Sequence, residues 1–172
     1  MKKYELTSET KIVFGHILYR IKALSSFGYV SAGDLGGFLE SEKNLSQNGD
    51  AWVYGNAEVY GDARVSGNAK VSGNAEVSGN AEVYGSARVS GNAEVSKIGS
   101  IFWIGAVGSR NDTATFFRCT DGVVRVTCGC FFGNLDEFAK KVRKTHGDND
   151  HAKVYMLAIE MAKIRIGDKK EK

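Results

Sequence analysis

The pattern of apolar and polar residues changes twice along the chain. From Gly49 to Ser96 one six-residue phrase, Gly-Asn/Asp/Ser-Ala-x-Val-Tyr/Ser, repeats eight times without a gap. Residues two apart lie on the same side of an extended strand, so Ala and Val form a narrow apolar face while x points outward. Gly and Asn adopt positive φ at low cost and can form a corner in every phrase. This fixed period predicts a coil of short stacked strands.

The segments on either side of the repeat follow other patterns. The β-rich run from Ile12 to Tyr19 is broken by Gly15, which predicts strands and a hairpin in an N-terminal cap. After the repeat, three runs rich in β-branched and aromatic residues predict three strands. These runs are Ile98–Val107, Thr113–Thr120 and Val123–Phe132.

Two helices are predicted at the C-terminal end of the chain. Asn134 with Glu137 three residues later forms a capping-box pattern, which predicts a helix from there to about His146. A second helix is expected to begin near Asp148–Asp150. One apolar stripe continues along it, formed by Tyr155, Ile159, Ala162 and Ile166. The order of elements after the repeat is therefore βββαα.

The repeat resembles that of hexapeptide-repeat proteins, whose fold is a left-handed parallel β-helix with three phrases per turn. Leu39 and Leu45, followed by a two-residue expansion at Gln47-Asn48, predict an imperfect first coil. The expected fold class is mainly β, with a short left-handed β-helix over residues 39–96. An N-terminal β cap would occupy residues 1–38, and a C-terminal α+β module residues 97–172.

Other stretches resemble phage and bacterial proteins. Residues 18–24, 36–39 and 45–53 are similar to the corresponding region of uncharacterised, transferase-like hexapeptide proteins of enteric bacteria and phages. Residues 128–138, followed by 145–149, resemble a small domain of unknown activity in phage and prophage proteins. The resemblance implies a phage or prophage protein. Because no stretch of the sequence resembles a signal peptide or membrane span, we expect it in the cytoplasm of the infected or lysogenic bacterium.

Composition adds a charge difference between the two ends of the chain. Of 172 residues, 42% are hydrophobic and 25% charged, which excludes a disordered protein. Residues 1–96 carry 9 basic and 11 acidic residues, and residues 97–172 carry 14 and 9, which gives −2 and +5. A positive module favours anionic partners, although a solvated surface is a common alternative. No apolar run is long enough for a signal peptide or membrane span, so no membrane association is expected.

A candidate anion site lies in the predicted hairpin of the C-terminal module. A two-residue turn at Asp121-Gly122 would place Arg118 opposite Arg125, with Phe116 on the same face. Facing arginines favour an anion between them, unless an intramolecular carboxylate satisfies the pair. Four basic residues extend this character along the first helix, or simply form its solvated face: Lys140, Lys141, Arg143 and Lys144.

The short coil is expected to form a homo-oligomer, most simply a trimer. A little over three turns at about 4.8 Å per strand gives a height of about 15 Å, and valine burial alone does not offset the backbone entropy lost. Residues 18 apart would stack in columns of like charge. An acidic column would contain Glu58, Glu76 and Glu94, and a basic column Lys70 and Arg88 beside Trp52. Opposite columns of neighbouring protomers could pair, or remain solvated.

The remaining reactive residues give little support for catalysis. The predicted hairpin separates Cys119 from Cys128 and Cys130, so small buried cysteines are favoured over a metal site, and no cofactor is expected. Because no histidine lies in the repeat, we expect a non-enzymatic binding protein. It would sequester or block a host protein, nucleic acid or nucleotide, for example as an anti-CRISPR protein or a nucleotide-messenger sponge. The alternatives are an acyltransferase that uses acetyl-CoA and a structural or virion-associated protein.

Overall fold

The structure, a computed structural model, describes residues 2–167. They form two compact units that divide between Ile98 and Gly99, called here the solenoid unit and the C-terminal module. All strands of the repeat lie in the solenoid unit, and both α-helices lie in the C-terminal module. Within residues 2–167, no helix is both long and apolar enough to span a membrane.

The solenoid unit begins with a β-hairpin. Strands β1 (Tyr4–Val13) and β2 (His16–Ala23) are antiparallel, and the turn between them places Phe14 and Gly15 at φ 47° and 85°. Two residues with positive φ are typical of the tight turns that match strand twist. Strand β3 (Leu35–Leu39) pairs antiparallel with β2 and parallel with a strand of the repeat. The hairpin therefore continues one face of the coil.

The repeat forms a β-solenoid of about three turns, as the period predicts. Each phrase contributes a two-residue strand made of its x and Val residues. The strands are β4 (Trp52–Val53), β5 (Glu58–Val59), β6 (Arg64–Val65), β7 (Lys70–Val71), β8 (Glu76–Val77), β9 (Glu82–Val83), β10 (Arg88–Val89) and β11 (Glu94–Val95). Parallel pairing joins every third strand, which gives three faces: β4-β7-β10, β5-β8-β11 and β6-β9.

The imperfect first coil is also present. Leu39 pairs with Val59 and Leu45 with Val65, in each case 20 positions apart instead of 18. This offset confirms the predicted two-residue expansion. Inside the coil, the alanine and valine of every phrase are at most 1% exposed. At the corner formed by Gly49, φ is 73° and a Cβ would lie 2.5 Å from the carbonyl oxygen of Gly67, so glycine alone fits this stacking.

Residues of the cap close the first end of the coil. Each coil donates its N–H groups to carbonyls of the next, as from Trp52 N to Ala69 O at 3.0 Å. Carbonyls of the first coil therefore need other donors, and Lys3 Nζ donates to Ala51 O at 2.9 Å. The Tyr4 ring packs edge-on against Trp52, which is 1% exposed.

The C-terminal module contains four strands where three were predicted. Strands β12 (Ile101–Val107), β13 (Asp112–Arg118), β14 (Val124–Cys128) and β15 (Phe131–Asn134) form an antiparallel sheet in chain order. The predicted third strand, residues 123–132, is divided because Gly129 has φ 58° and turns the chain. The prediction of one continuous strand was therefore wrong.

The register between β13 and β14 also differs from the prediction by one residue. Cys119 N donates to Val123 O, so the loop contains three residues, Thr120 to Gly122, with Gly122 at φ 79°. Arg118 consequently pairs with Val124, and Phe117 pairs with Arg125. The two arginines are therefore not cross-strand partners. Because successive residues of a strand point to opposite faces of the sheet, a shift of one residue also places Arg118 and Arg125 on opposite faces.

Both helices have the ends that the sequence predicts. Helix α1 (Leu135–His146) begins with the expected capping box between Asn134 and Glu137. Helix α2 (Asp150–Ile166) is capped by Asn149, whose side chain accepts from Ala152 N at 3.1 Å. Their apolar sides pack on the sheet around Phe138, which makes ring contacts with other core aromatics. These aromatics are Phe116, Phe131 and Tyr155.

Candidate anion-binding pocket

The predicted pair of facing arginines is not formed, and each arginine has an intramolecular partner. Arg125 binds both carboxylate oxygens of Asp121, at 2.8 and 2.6 Å, and this contact lowers the pKa of Asp121 to about 2. Arg118 donates to the carbonyl oxygen of Ile166 at 2.5 Å, at the end of α2. Phe116, expected beside them at the surface, is fully buried. This correction follows from the one-residue shift in register.

The basic residues predicted on α1 do lie on its exposed side. Their side chains make no ion pair with any residue in the range 2–167. These residues are Lys140, Lys141, Arg143 and Lys144. Lys141 differs from the other three because it also lines a cavity of the module.

This cavity, called here the basic pocket, has a volume of about 390 Å³. Three parts of the module meet around it: the β12–β13 turn, the β14–β15 turn and the adjoining ends of the two helices. The lining residues are Ser109, Arg110, Asp112, Cys128, Cys130, Lys141, Thr145, His146 and Tyr155. The lining therefore combines two cationic side chains, Arg110 and Lys141, with one carboxylate, Asp112.

Two cations of the basic pocket have no carboxylate partner. Neither Arg110 nor Lys141 makes an ion pair with a described residue, although Asp112 also lines the cavity. One oxygen of Asp112 instead accepts from the N–H of Thr113 at 2.8 Å. The two cations exceed the one carboxylate of the lining, and an excess of positive charge in a concave site favours an anion, because the surrounding protein displaces screening water.

Gly129 allows Arg110 to approach the β14–β15 turn closely. A Cβ at this position would lie 2.6 Å from Nη2 of Arg110 and 3.4 Å from Oδ2 of Asp112. The φ of 58° independently favours glycine. The same residue therefore turns the chain and leaves space for the guanidinium group.

Tyr155 contributes a neutral hydroxyl group. Its hydroxyl donates to Val107 O at 3.4 Å and lies 3.7 Å from Sγ of Cys128. Burial, followed by the hydrogen bond with Cys128, raises the pKa of Tyr155 well above its usual range. The phenol consequently stays protonated at neutral pH and adds no negative charge to the pocket.

The helix ends at the pocket have opposite polarity. His146 is the last residue of α1, and its ring lies 5.6 Å from the ring of His151 in the first turn of α2. The partial negative charge at the end of α1 and the partial positive charge at the start of α2 oppose each other. The charged side chains of the lining, Arg110, Lys141 and Asp112, therefore set the charge of this region.

In the solenoid unit, the predicted columns of like charge are present, but Trp52 is not at the surface. Glu58, Glu76 and Glu94 pair in register, as do Trp52, Lys70 and Arg88. Part of the acidic column is neutralised within the protomer, because Lys11 forms an ion pair with Glu58 at 2.5 Å. Glu76 accepts a hydrogen bond from the Tyr60 hydroxyl. Trp52 is buried under the cap and cannot contact another copy.

One histidine lies against the solenoid although its position in the sequence is outside the repeat. His16 Nδ1 is 2.9 Å from Glu40, and its ring lies 4.8 Å from the ring of Tyr60. Two cavities on the solenoid have volumes of about 450 and 190 Å³. Neither is lined by a described histidine.

Sequence reasoning identified Lys141 but missed most of the basic pocket. Arg110 lies in a turn between predicted strands, and its proximity to α1 follows from the packing of the module. The expectation of buried cysteines was wrong for Cys130, which is exposed, whereas Cys119 and Cys128 are buried. Among residues 2–167, no group of three or more histidine, cysteine or acidic residues could hold a metal.

Comparison of the chain with protein-family models and with curated proteins finds no match. The stacked parallel strands are compatible with a hexapeptide-repeat β-helix. Because one fold supports many activities, function must be argued from the site.

Proposed function

We propose that this protein is a non-enzymatic binding protein whose C-terminal module captures a phosphate-bearing small molecule, such as a nucleotide. The observation that carries this proposal is that Arg110 and Lys141 line one cavity without an ion-pair partner among the described residues. A volume of about 390 Å³ is suited to a small ligand. A phosphate group would balance the excess positive charge of the lining.

The other lining residues suit phosphate oxygens. An arginine presents several N–H donors in one plane, and lysine supplies a compact charge. The hydroxyl groups of Ser109 and Thr145 add donors at the same cavity. The exposed basic side of α1 would attract anions from a distance, and this attraction would weaken with salt.

The biological role that we propose is counter-defence by a phage or prophage protein in the bacterial cytoplasm. A nucleotide messenger of a host immune system has the phosphate chemistry that the pocket requires. The resemblance of residues 128–138 and 145–149 to phage proteins supports this setting. Trimerisation through the charged columns of the solenoid would multiply the modules and increase the capacity of each particle to bind ligand.

Isothermal titration calorimetry with AMP and with inorganic pyrophosphate tests the proposed pocket. We expect both ligands to bind the wild-type protein. Arg110→Gln and Lys141→Gln should each weaken binding by about tenfold to a hundredfold, because each removes a hydrogen bond between charged groups. Lys140→Gln is the matched control, since Lys140 precedes Lys141 on α1 but does not line the pocket.

Adenosine provides the matched ligand without a phosphate group and should bind at least tenfold more weakly than AMP. Equal weakening by Lys140→Gln and Lys141→Gln would contradict the proposal, because it would indicate general attraction to α1. Absence of binding by both phosphate ligands would also contradict it.

A further inference from the structure

Helix α2 has an apolar face that the C-terminal module leaves exposed. Val154, Leu157, Met161 and Ile164 are 39%, 65%, 50% and 85% exposed. A rotation of 100° per residue places these four side chains along one side of the helix. They are called here the exposed seam.

The buried side of α2 faces a different direction. It consists of Ala152, Tyr155, Ala158, Ile159, Ala162 and Ile166, all of which pack into the core of the module. Helical geometry places the exposed seam nearly opposite this buried side. The helix is therefore apolar on two sides, whereas packing within its own module requires only one.

The spacing of the exposed seam is that of a coiled coil. Its residues follow one another at intervals of three, four and three, which corresponds to positions a and d of a heptad repeat. The ten residue-to-residue steps from Val154 to Ile164 span about 15 Å at 1.5 Å per step. This length provides four layers of side chains for contact with another helix.

We propose that the exposed seam is a contact surface for a second copy of this chain, with the two α2 helices parallel and in register. Charge complementarity selects this occupant. Glu160 lies on one flank of the seam and Arg165 on the other, at the positions that face each other between parallel helices. An antiparallel arrangement would instead bring the Glu160 side chains of the two copies close together.

The flanking charges are available for this contact. Within the protomer, Glu160 binds Lys163 at 2.8 Å, but both side chains are more than a third exposed. Such a pair contributes little stability and can exchange or share partners. Arg165 is exposed at the other flank. This inference is independent of the basic pocket and uses a different surface from the charged columns of the solenoid.

Analytical ultracentrifugation over a range of protein concentrations tests the exposed seam. Ile164→Glu should raise the dissociation constant for self-association at least about tenfold, because it places a charge at an apolar contact. Ile12→Glu is the matched control, since Ile12 is 75% exposed in the cap and undergoes the same change. Unaltered self-association of Ile164→Glu, or equal weakening in the control, would overturn the proposal.

Disulfide cross-linking tests the parallel register. In a Cys130→Ser background, Leu157→Cys should form a disulfide-linked dimer under mild oxidation, because position 157 meets its own equivalent only between parallel helices. Thr145→Cys provides an exposed cysteine on α1 as control and should cross-link far more slowly. Equal rates for the two variants would overturn the register.

The flanking charges give a second readout of the same register. Glu160→Arg alone should weaken association, and adding Arg165→Glu should restore it. An antiparallel contact would not be restored in this way. A wild-type chain that remains monomeric at all concentrations would overturn the whole inference.

Discussion

At the scale of single residues, Lys3 shows how the solenoid obtains hydrogen-bond donors at its first end. Its ammonium group lies beside carbonyl oxygens of Gly49 and Ala51 and 4.9 Å from the centre of the Phe27 ring. The residue is 5% exposed. Burial lowers the pKa of Lys3 from 10.5 to about 8, although Asp50 acts in the opposite direction. The cap therefore places a titratable group within the fold.

This shift predicts a pH dependence of stability. Between pH 8 and 10.5 the unfolded chain binds a proton at Lys3 that the folded chain has released, so this group raises the free energy of unfolding as pH increases. The destabilising contribution of the buried Lys3 ammonium group to the free energy of unfolding is greatest below pH 8 and disappears towards pH 10.5. Urea unfolding should show that the stability of wild type relative to Lys3→Met increases across this range. A constant difference would contradict the assignment.

At the scale of elements, the loop between β13 and β14 decides which side chains share a face. The Asp121-Gly122 sequence is compatible with a two-residue loop and with a three-residue loop. The three-residue loop shifts the pairing of the two strands by one residue. The Asp121 carboxylate favours the observed loop by accepting from Val123 N at 3.0 Å and binding Arg125. The one extra residue in the loop therefore prevents Arg118 and Arg125 from lying opposite each other.

Arg118 consequently has a structural role at the end of α2. Arg118→Gln should lower the free energy of unfolding by about 1.5–3 kcal/mol, because a charged donor to the last carbonyls of the helix is lost. The affinity for AMP should remain unchanged. Thermal unfolding measures the change in stability, and calorimetry measures the affinity for AMP. Arg143→Gln is the control, because Arg143 is exposed. If Arg118→Gln instead weakened AMP binding without loss of stability, Arg118 would be a ligand-binding residue and not a structural one.

Local and repeated features were predictable from the sequence, whereas long-range contacts were not. The Gly-Asn-Ala-x-Val period and the Asn134–Glu137 capping box both correspond to regular backbone geometry, and the solenoid and α1 follow them. The presence of Arg110 and Lys141 in the lining of one cavity depends on how a turn packs against a helix that is distant in the sequence. The exposed seam was not predicted, because the apolar stripe that includes Tyr155 is enough to predict an amphipathic helix without a second apolar side.

At the scale of the whole molecule, each face of the solenoid carries one column of outward-pointing side chains. Its strands stack in register, so charges at one position of the phrase recur along a face. Such columns concentrate like charge, and an opposite column would lower the resulting repulsion. The trimer that we propose depends on this pairing between protomers.

Reversal of one charge in the acidic column tests this trimer. Glu76→Lys should lower the particle mass by breaking the trimer contact, because it places a cation opposite the basic column of the neighbour. Glu82→Lys is the control, since Glu82 lies on the third face, in β9. Light scattering measures the mass of both variants. An unchanged mass for Glu76→Lys would exclude this interface.

The most direct test of ligand capture is amide chemical-shift mapping of the wild-type protein during titration with pyrophosphate. We predict saturable shifts that cluster at residues 109–112, 128–130 and 141–146, and that are lost in Arg110→Gln. Shifts confined to the solenoid unit, or shifts that persist unchanged in Arg110→Gln, would contradict binding in the basic pocket.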